Sequence, residues 1–144
     1  MECAFCGNAE LEDRTIVKND LAFAFLTNIP IVPGHTLISP IRHVQYYEEL
    51  TEAEREAIEQ LRAGIKVSMQ KVFGTEGFNY AWNEEKIGGQ SVPHFHLHVL
   101  PRKEGDAGVY EYEPREFLYR PTGDRPISPQ EELKEIAQNI REFA

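Results

Sequence analysis

The chain is short of sulfur, of basic residues and of long apolar runs. Only two of its 144 residues are cysteine, Cys3 and Cys6, spaced as CxxC, so no disulfide framework holds the fold and stability must come from a packed core. A chain of this length buries roughly two-thirds of its unfolded surface, enough for a core without staples. No stretch is apolar for the roughly 20 residues that a membrane-spanning helix needs. The start, MECAFCGNAELEDR, has neither a basic beginning nor an apolar run, so no signal peptide is expected and the expected location is cytoplasmic. In that compartment the two cysteines are thiols or metal ligands. Fifteen Lys and Arg stand against 24 Asp and Glu, a formal net charge of -9. That balance argues against a nucleic-acid polymer or an anionic membrane as partner, since each needs a basic face. It leaves room for a small phosphate ligand held by backbone N–H groups and neutral side chains.

The remaining pattern predicts one α+β domain over residues 1–144, with its core in roughly 1–106 and antiparallel strands joined by short turns. Arg14–Lys18 and Leu21–Leu26 read as a hairpin around Asn19-Asp20. A Pro/Gly loop from Asn28 to Gly34 leads into a short strand, His35–Ser39, ended by Pro40. Thr51 to Phe73 is one long central helix. Thr51 and Glu54 form a capping box, Ile58, Leu61, Ile65, Met69 and Val72 form an apolar stripe, and Gly74 is the stop. Gly77–Asn83 and Pro93–Pro101 read as further strands. Residues 103–127 form a long loop with Tyr110, Tyr112, Phe117 and Tyr119. Ser128-Pro129-Gln130-Glu131 opens a C-terminal helix over 128–144.

The chemistry concentrates in GGQSVPHFHLHVLPR, Gly88 to Arg102, which holds three of the five histidines. On a strand His94, His96 and His98 point one way, roughly 6.5–7 Å apart, while Phe95, Leu97 and Val99 point into a core. A solvent-facing strand that happens to be rich in histidine is the bland reading. An open metal-hydrolase site built on three imidazoles is a second. Nucleophilic catalysis is a third: a neutral imidazole attacks phosphorus and a second imidazole carries the leaving group's proton. The preceding Gly88-Gly89-Gln90-Ser91 turn favours the phosphate reading, because its N–H groups and the Ser91 hydroxyl can receive phosphate oxygens.

The His-x-His-x-His run with apolar residues at each x resembles the signature of the histidine triad (HIT) family. So does Val32-Pro33-Gly34-His35-Thr36-Leu37-Ile38-Ser39-Pro40, which looks like that family's PGH strand. HVLPRKEGD, His98 to Asp106, looks more like the Fhit branch of dinucleoside polyphosphate hydrolases than the phosphoramidate-hydrolysing branch. The resemblance implies a HIT-like fold, a two-fold dimer, and a nucleotide hydrolase or nucleotidyl transferase acting at an α-phosphate through a nucleotidyl-histidine. It implies His96 as the nucleophile, His98 against the phosphate and bridging oxygen, and His35 supporting the nucleophile's hydrogen bonding. Asn83, Gln90 and Ser91 would contact phosphate. At the ribose position, where the family often has Asp or Asn, this chain departs with Thr27, followed by Asn28. Phe25 would be a wall for the base, or plain core packing. A nucleotide-binding signalling module with little turnover is the alternative to an enzyme.

The CxxC on its own reads as a redox pair, which lacks the βαβ context, or as half of a tetrahedral Zn²⁺ site. Zinc-bearing HIT proteins take their ligands from this CxxC, a histidine shortly after the PGH strand and the first triad histidine. The resemblance therefore implies a structural Zn²⁺ on Cys3, Cys6, His43 and His94.

Overall fold

The computed structural model describes residues 3–106, 129–132 and 134. Met1–Gly108 forms one compact unit, and Val109–Ala144 a second. In the first, a six-residue helix α1 (Ala9–Arg14) leads into β1 (Thr15–Lys18), β2 (Ala22–Leu26), β3 (Thr36–Pro40), the long helix α2 (Glu52–Phe73), β4 (Gly77–Ala81) and β5 (Leu97–Arg102). The five strands make one sheet in the order β1-β2-β3-β5-β4, and every neighbouring pair is antiparallel. This is the α+β architecture expected from the sequence.

Local chemistry fixes the long elements. Thr51 Oγ1 accepts from the Glu54 amide at 3.1 Å and Glu54 Oε1 accepts from the Thr51 amide at 2.9 Å, closing the capping box of α2. Gly74 adopts φ 63°, the left-handed cap that ends the helix. In the first hairpin, Asn19 Oδ1 accepts from the amides of Leu21 and Ala22, and its Nδ2 donates to the Ala57 carbonyl of α2. One side chain thus shapes the turn and ties it to the helix.

The sheet has two apolar faces. Ala22, Ala24, Ile38, Leu97 and Val99 pack with Ala57, Ile58, Leu61, Ile65 and Met69 of α2. Each fully buried Val, Leu, Ile or Met side chain among them contributes roughly 1.5–3 kcal/mol. Val72 falls outside the stripe: it is exposed, in the last turn of the helix. Leu11, Phe25 and Leu37 form a second cluster, against which Phe5 and Phe23 lie half-buried. Phe25 pairs with Leu37 and Leu37 with His98. Directly opposed residues share a face, so His98 stands on the side of this second cluster, away from α2.

Several expected boundaries move. Arg14 ends a helix rather than starting a strand. Asn8 caps that helix by accepting from the Glu10 amide. β4 stops at Ala81, so Asn83 lies beyond it. β5 begins at Leu97, not Pro93, which leaves His94 and His96 on the connection into the strand. Proline has no N–H to give a ladder, and the pairing with β3 covers only Leu97 to Val99. The inward turn of Phe95 nevertheless survives, because its amide donates to the Val44 carbonyl and its ring joins the α2 core. Of the C-terminal helix, Gln130, Glu131, Glu132 and Lys134 are helical. Pro129 precedes the helical residues. The rest of that helix, and residues 107–127 of the long loop with its four aromatics, lie outside the described residues.

Candidate functional site

The start of β3 and the start of β5 bring His35, His96 and His98 together. His35 Nδ1 accepts from the Ile31 amide at 3.1 Å, so the ring proton sits on Nε2. His35 Nε2 lies 2.9 Å from His98 Nδ1 and donates to it. His98 in its neutral form therefore carries its own proton on Nε2. The hydrogen bond of His35 thus supports the third triad histidine, where support of the nucleophile itself was expected.

His96 has the opposite tautomer. Its Nδ1 lies 2.8 Å from the His94 carbonyl and must donate to it, which leaves a lone pair on Nε2. The His96 and His98 rings stand 5.0 Å apart between centroids, closer than an ideal strand would hold them. Burial pushes the His96 pKa below the ordinary imidazole value, and the bond to the His94 carbonyl only partly opposes this. A neutral ring with a lone pair on Nε2, beside a neighbour whose N–H can stabilise a departing group, is what nucleophilic attack requires.

His94 faces a different set of atoms. Its Nε2 lies 2.8 Å from the Pro40 carbonyl and donates to it, which turns the Nδ1 lone pair toward sulfur. Nδ1 is 3.5 Å from both Cys3 Sγ and Cys6 Sγ, and Cys6 Sγ is 3.3 Å from His43 Nδ1. All four donor atoms lie within 4.8 Å of one another. Tetrahedral Zn²⁺ with ordinary bond lengths places S and N ligands about 3.6 Å apart, so the residues fit such an ion, and the Pro40 bond is the kind of outer contact that orients a metal-bound imidazole. Burial and then Cys3 raise the Cys6 thiol pKa. A divalent ion reverses that sign by stabilising the thiolates. Burial likewise lowers the His94 pKa, against its bond to Pro40 and with smaller contributions from His43 and His96. The histidines do not converge on one open metal position: His94 belongs to the sulfur cluster, and His35 bonds to His98.

The other expected contacts divide. The amides of Gly88, Gly89 and Gln90 close their own turn, bonding to the carbonyls of Glu85 and Lys86. They are not presented as a phosphate cradle. Gln90 is buried and both ends of its side-chain amide bond to Gln45. Ser91 is exposed at the end of the turn. Asn83 Nδ2 reaches the Gly89 carbonyl at 3.4 Å, which places its side chain across the same turn. Thr27 Oγ1 accepts from the Ile29 amide, and Asn28 is exposed. Phe25 is 1% exposed in the second cluster, so it is core packing rather than a wall open to a base.

Phe5 is the residue that sequence reasoning passed over. It sits between the two cysteines, its amide bonds to Cys3 Sγ at 3.4 Å, and its ring meets His96 edge to face at 5.2 Å. The signal was an apolar side chain inside a CxxC, where a tight metal loop has to turn one residue toward the protein.

The HIT domain family model matches residues 8–105. An uncharacterized 16.1 kDa HIT-like protein of Mycoplasma pneumoniae is 33% identical over 135 residues, covering 91% of this chain and 88% of that protein. The asymmetrical bis(5'-nucleosyl)-tetraphosphatase of Schizosaccharomyces pombe is 34% identical over 93 residues, 65% of this chain and 51% of that protein. The adenosine 5'-monophosphoramidase hnt1 of the same yeast is 28% identical over 142 residues, 97% of this chain and 96% of that protein. A Zn-bound histidine triad family protein from Mycobacterium smegmatis superposes with a TM-score of 0.66 at 27% identity, over 76% of this chain and 81% of that one. The matched span runs from the cap of α1 to just past β5 and includes all five histidines, and on that evidence the chain belongs to the HIT domain family.

Proposed function

We propose that the chain is a nucleotide hydrolase or nucleotidyl transferase working at the α-phosphorus of a dinucleoside polyphosphate or a nucleoside phosphoramidate. The observation behind this reading is the pair of opposite tautomers on neighbouring rings, a lone pair at Nε2 of His96 and an N–H at Nε2 of His98. The His96 lone pair forms a P–N bond and the bond from phosphorus to the leaving group breaks; the departing group leaves as an anion hydrogen-bonded to the Nε2–H of His98, or as an amine that takes its proton from solvent. The nucleotidyl-imidazole so formed is cationic. Its Nδ1–H stays on the His94 carbonyl, whose negative end stabilises that charge. Water then attacks phosphorus, loses its proton to solvent and releases His96. Phosphate or another acceptor in place of water yields the phosphorolytic or transferase variant.

Ser91 and Asn83 are the groups assigned to phosphate oxygens in this reading, and Thr27 or Asn28 to the ribose. The four-donor cluster holds Zn²⁺ as a closed structural site, with no position left for water. A two-fold homodimer in the cytoplasm completes the proposal. It is supported by β4, an edge strand of the described sheet, whose outer backbone groups can pair with a second copy. Among the described residues no helix is long and apolar enough to cross a membrane.

The test is turnover of a diadenosine polyphosphate and of an adenosine phosphoramidate by the wild type beside His96→Ala, with acid quenching to trap a nucleotidyl-protein. Turnover and a trapped adduct in the wild type alone are expected. Tight nucleotide binding by the wild type without product would sink the enzyme reading in favour of a binding module.

A further inference from the structure

The ring of His96 is held from three directions. Its Nδ1 is tied to the His94 carbonyl, the His98 ring stands on one side, and the Phe5 ring meets it at an interplanar angle of 90°. Phe5 is itself held firmly. It contacts Phe25 at 5.1 Å and His94 at 5.8 Å between centroids. Its backbone belongs to the cysteine loop, where the Cys6 amide bonds to the Cys3 carbonyl and the Phe5 amide to the Cys3 sulfur. The residue between the metal-ligating cysteines therefore reaches across to the nucleophile. An N–H bond to sulfur strengthens when that sulfur is a thiolate, so an ion in the cluster tightens the same loop that carries Phe5.

We propose that Phe5 is a positioning residue for His96, and that metal in the cysteine–histidine cluster aims it. Edge-to-face contact with a fixed aromatic ring removes rotation of the imidazole about its Cβ–Cγ bond, leaving Nε2 in line with the phosphorus. The inference rests on the nucleophile reading for its kinetic consequence, but not for its geometry. Phe5 touches His96 and no group assigned to substrate, so loosening it acts on the chemical step and leaves substrate affinity alone.

The test uses Phe5→Leu, which keeps the apolar bulk, Phe5→Ala, and Phe5→Tyr, which restores a ring. Each is checked for bound zinc and for melting. Two readouts follow: kcat against KM, and the imidazole nitrogen resonances of His96 in a long-range ¹⁵N spectrum, assigned by their loss in His96→Ala. With zinc fully bound, Phe5→Leu should lose about ten-fold in kcat at unchanged KM, short of the roughly hundred-fold that a 1 Å misplacement costs. Its His96 signals should move from the Nδ1-protonated pattern toward an average, with Phe5→Tyr restoring both. Zinc-stripped wild type should show the same averaging. Unchanged His96 signals and kcat in zinc-loaded Phe5→Leu would overturn the proposal, as would unchanged His96 signals in the stripped protein. If the wild type turns over no nucleotide, the proposed function fails while the nitrogen spectrum still decides the role of Phe5.

Discussion

If the four-donor cluster holds zinc as proposed, chelation is expected to lower the melting temperature of the protein by roughly 15 °C. An ion bound by all four donors joins Cys6 to His43 across 37 positions and Cys3 to His94 across 91. A cross-link closing a loop of the larger size removes about 4–5 kcal/mol of chain entropy from the unfolded state. The second closure lies inside the first and adds less. Mass action gives the same scale, since free ion at a thousand times its dissociation constant stabilises by about 4 kcal/mol. At about 4 °C per kcal/mol for a chain of this size, 4 kcal/mol is roughly 15 °C. The assay is scanning calorimetry of zinc-loaded and chelator-treated protein, with zinc measured by mass spectrometry. Cys6→Ser, which keeps three donors, should melt between the two. Zinc should restore the melt and magnesium should not, because thiolates select soft ions. Superimposable melts, with no zinc at one per chain, would refute the reasoning.

Two further predictions concern the scaffold. Glu54 accepts from Arg42 Nε at 3.1 Å and Nη2 at 2.7 Å, besides capping α2. Those bonds, Arg42 first, hold its carboxyl below the usual range although burial opposes them. The Arg42 side chain is 53% exposed, so the ion pair is screened and counts for about 1 kcal/mol, and the cap adds about 1 kcal/mol. Glu54→Ala should therefore lose about 2 kcal/mol in urea melts at pH 7. A depressed folded-state pKa means that stability is present above the unfolded value and is lost as pH falls through the folded one. The gap between wild type and Glu54→Gln should thus close on acidification, and a gap independent of pH would contradict the assignment. Gly34 has φ 89°, and a Cβ there would sit 3.0 Å from Pro101 Cγ. Gly34→Ala should lose about 2 kcal/mol through backbone strain and contact together. An unchanged urea midpoint would show that the turn before His35 yields freely.

Features that local chemistry decides could be read in advance. The α2 helix followed from its capping box, its stripe and its glycine stop. The hairpin followed from Asn19, whose side chain bonds to the turn amides wherever that turn forms. The four metal donors came through the family resemblance, and the structure brings them together across 91 positions. What local chemistry left open depends on tertiary contacts that no window of sequence contains. The choice between wall and core for Phe25 was decided by Leu11 and Leu37. The partner of the Gln90 side chain, Gln45, lies 45 positions earlier. The α1 helix has six residues, too few for periodicity, and the Asn8 cap that starts it was its only local mark.

The alternation of three histidines therefore does something other than line a strand. His94 carries three connections at once: Nδ1 toward the two sulfurs, Nε2 to the Pro40 carbonyl, and its own carbonyl to His96 Nδ1. The first two fix the residue in space, and the third fixes which nitrogen of the next histidine keeps its lone pair. Two-residue spacing is needed because the carbonyl of one residue must reach the ring of the second one along. A substitution at His94 would cut both side-chain links together and release the backbone whose carbonyl holds His96, so it could not separate metal binding from chemistry. Cys6 separates them: it is exposed, and its sulfur meets only His43 and His94 among the histidines. Altering it therefore perturbs the metal site while every hydrogen bond to His96 and His98 stays in place. Its effect on His96 travels through the loop that carries Phe5 and through the placement of His94.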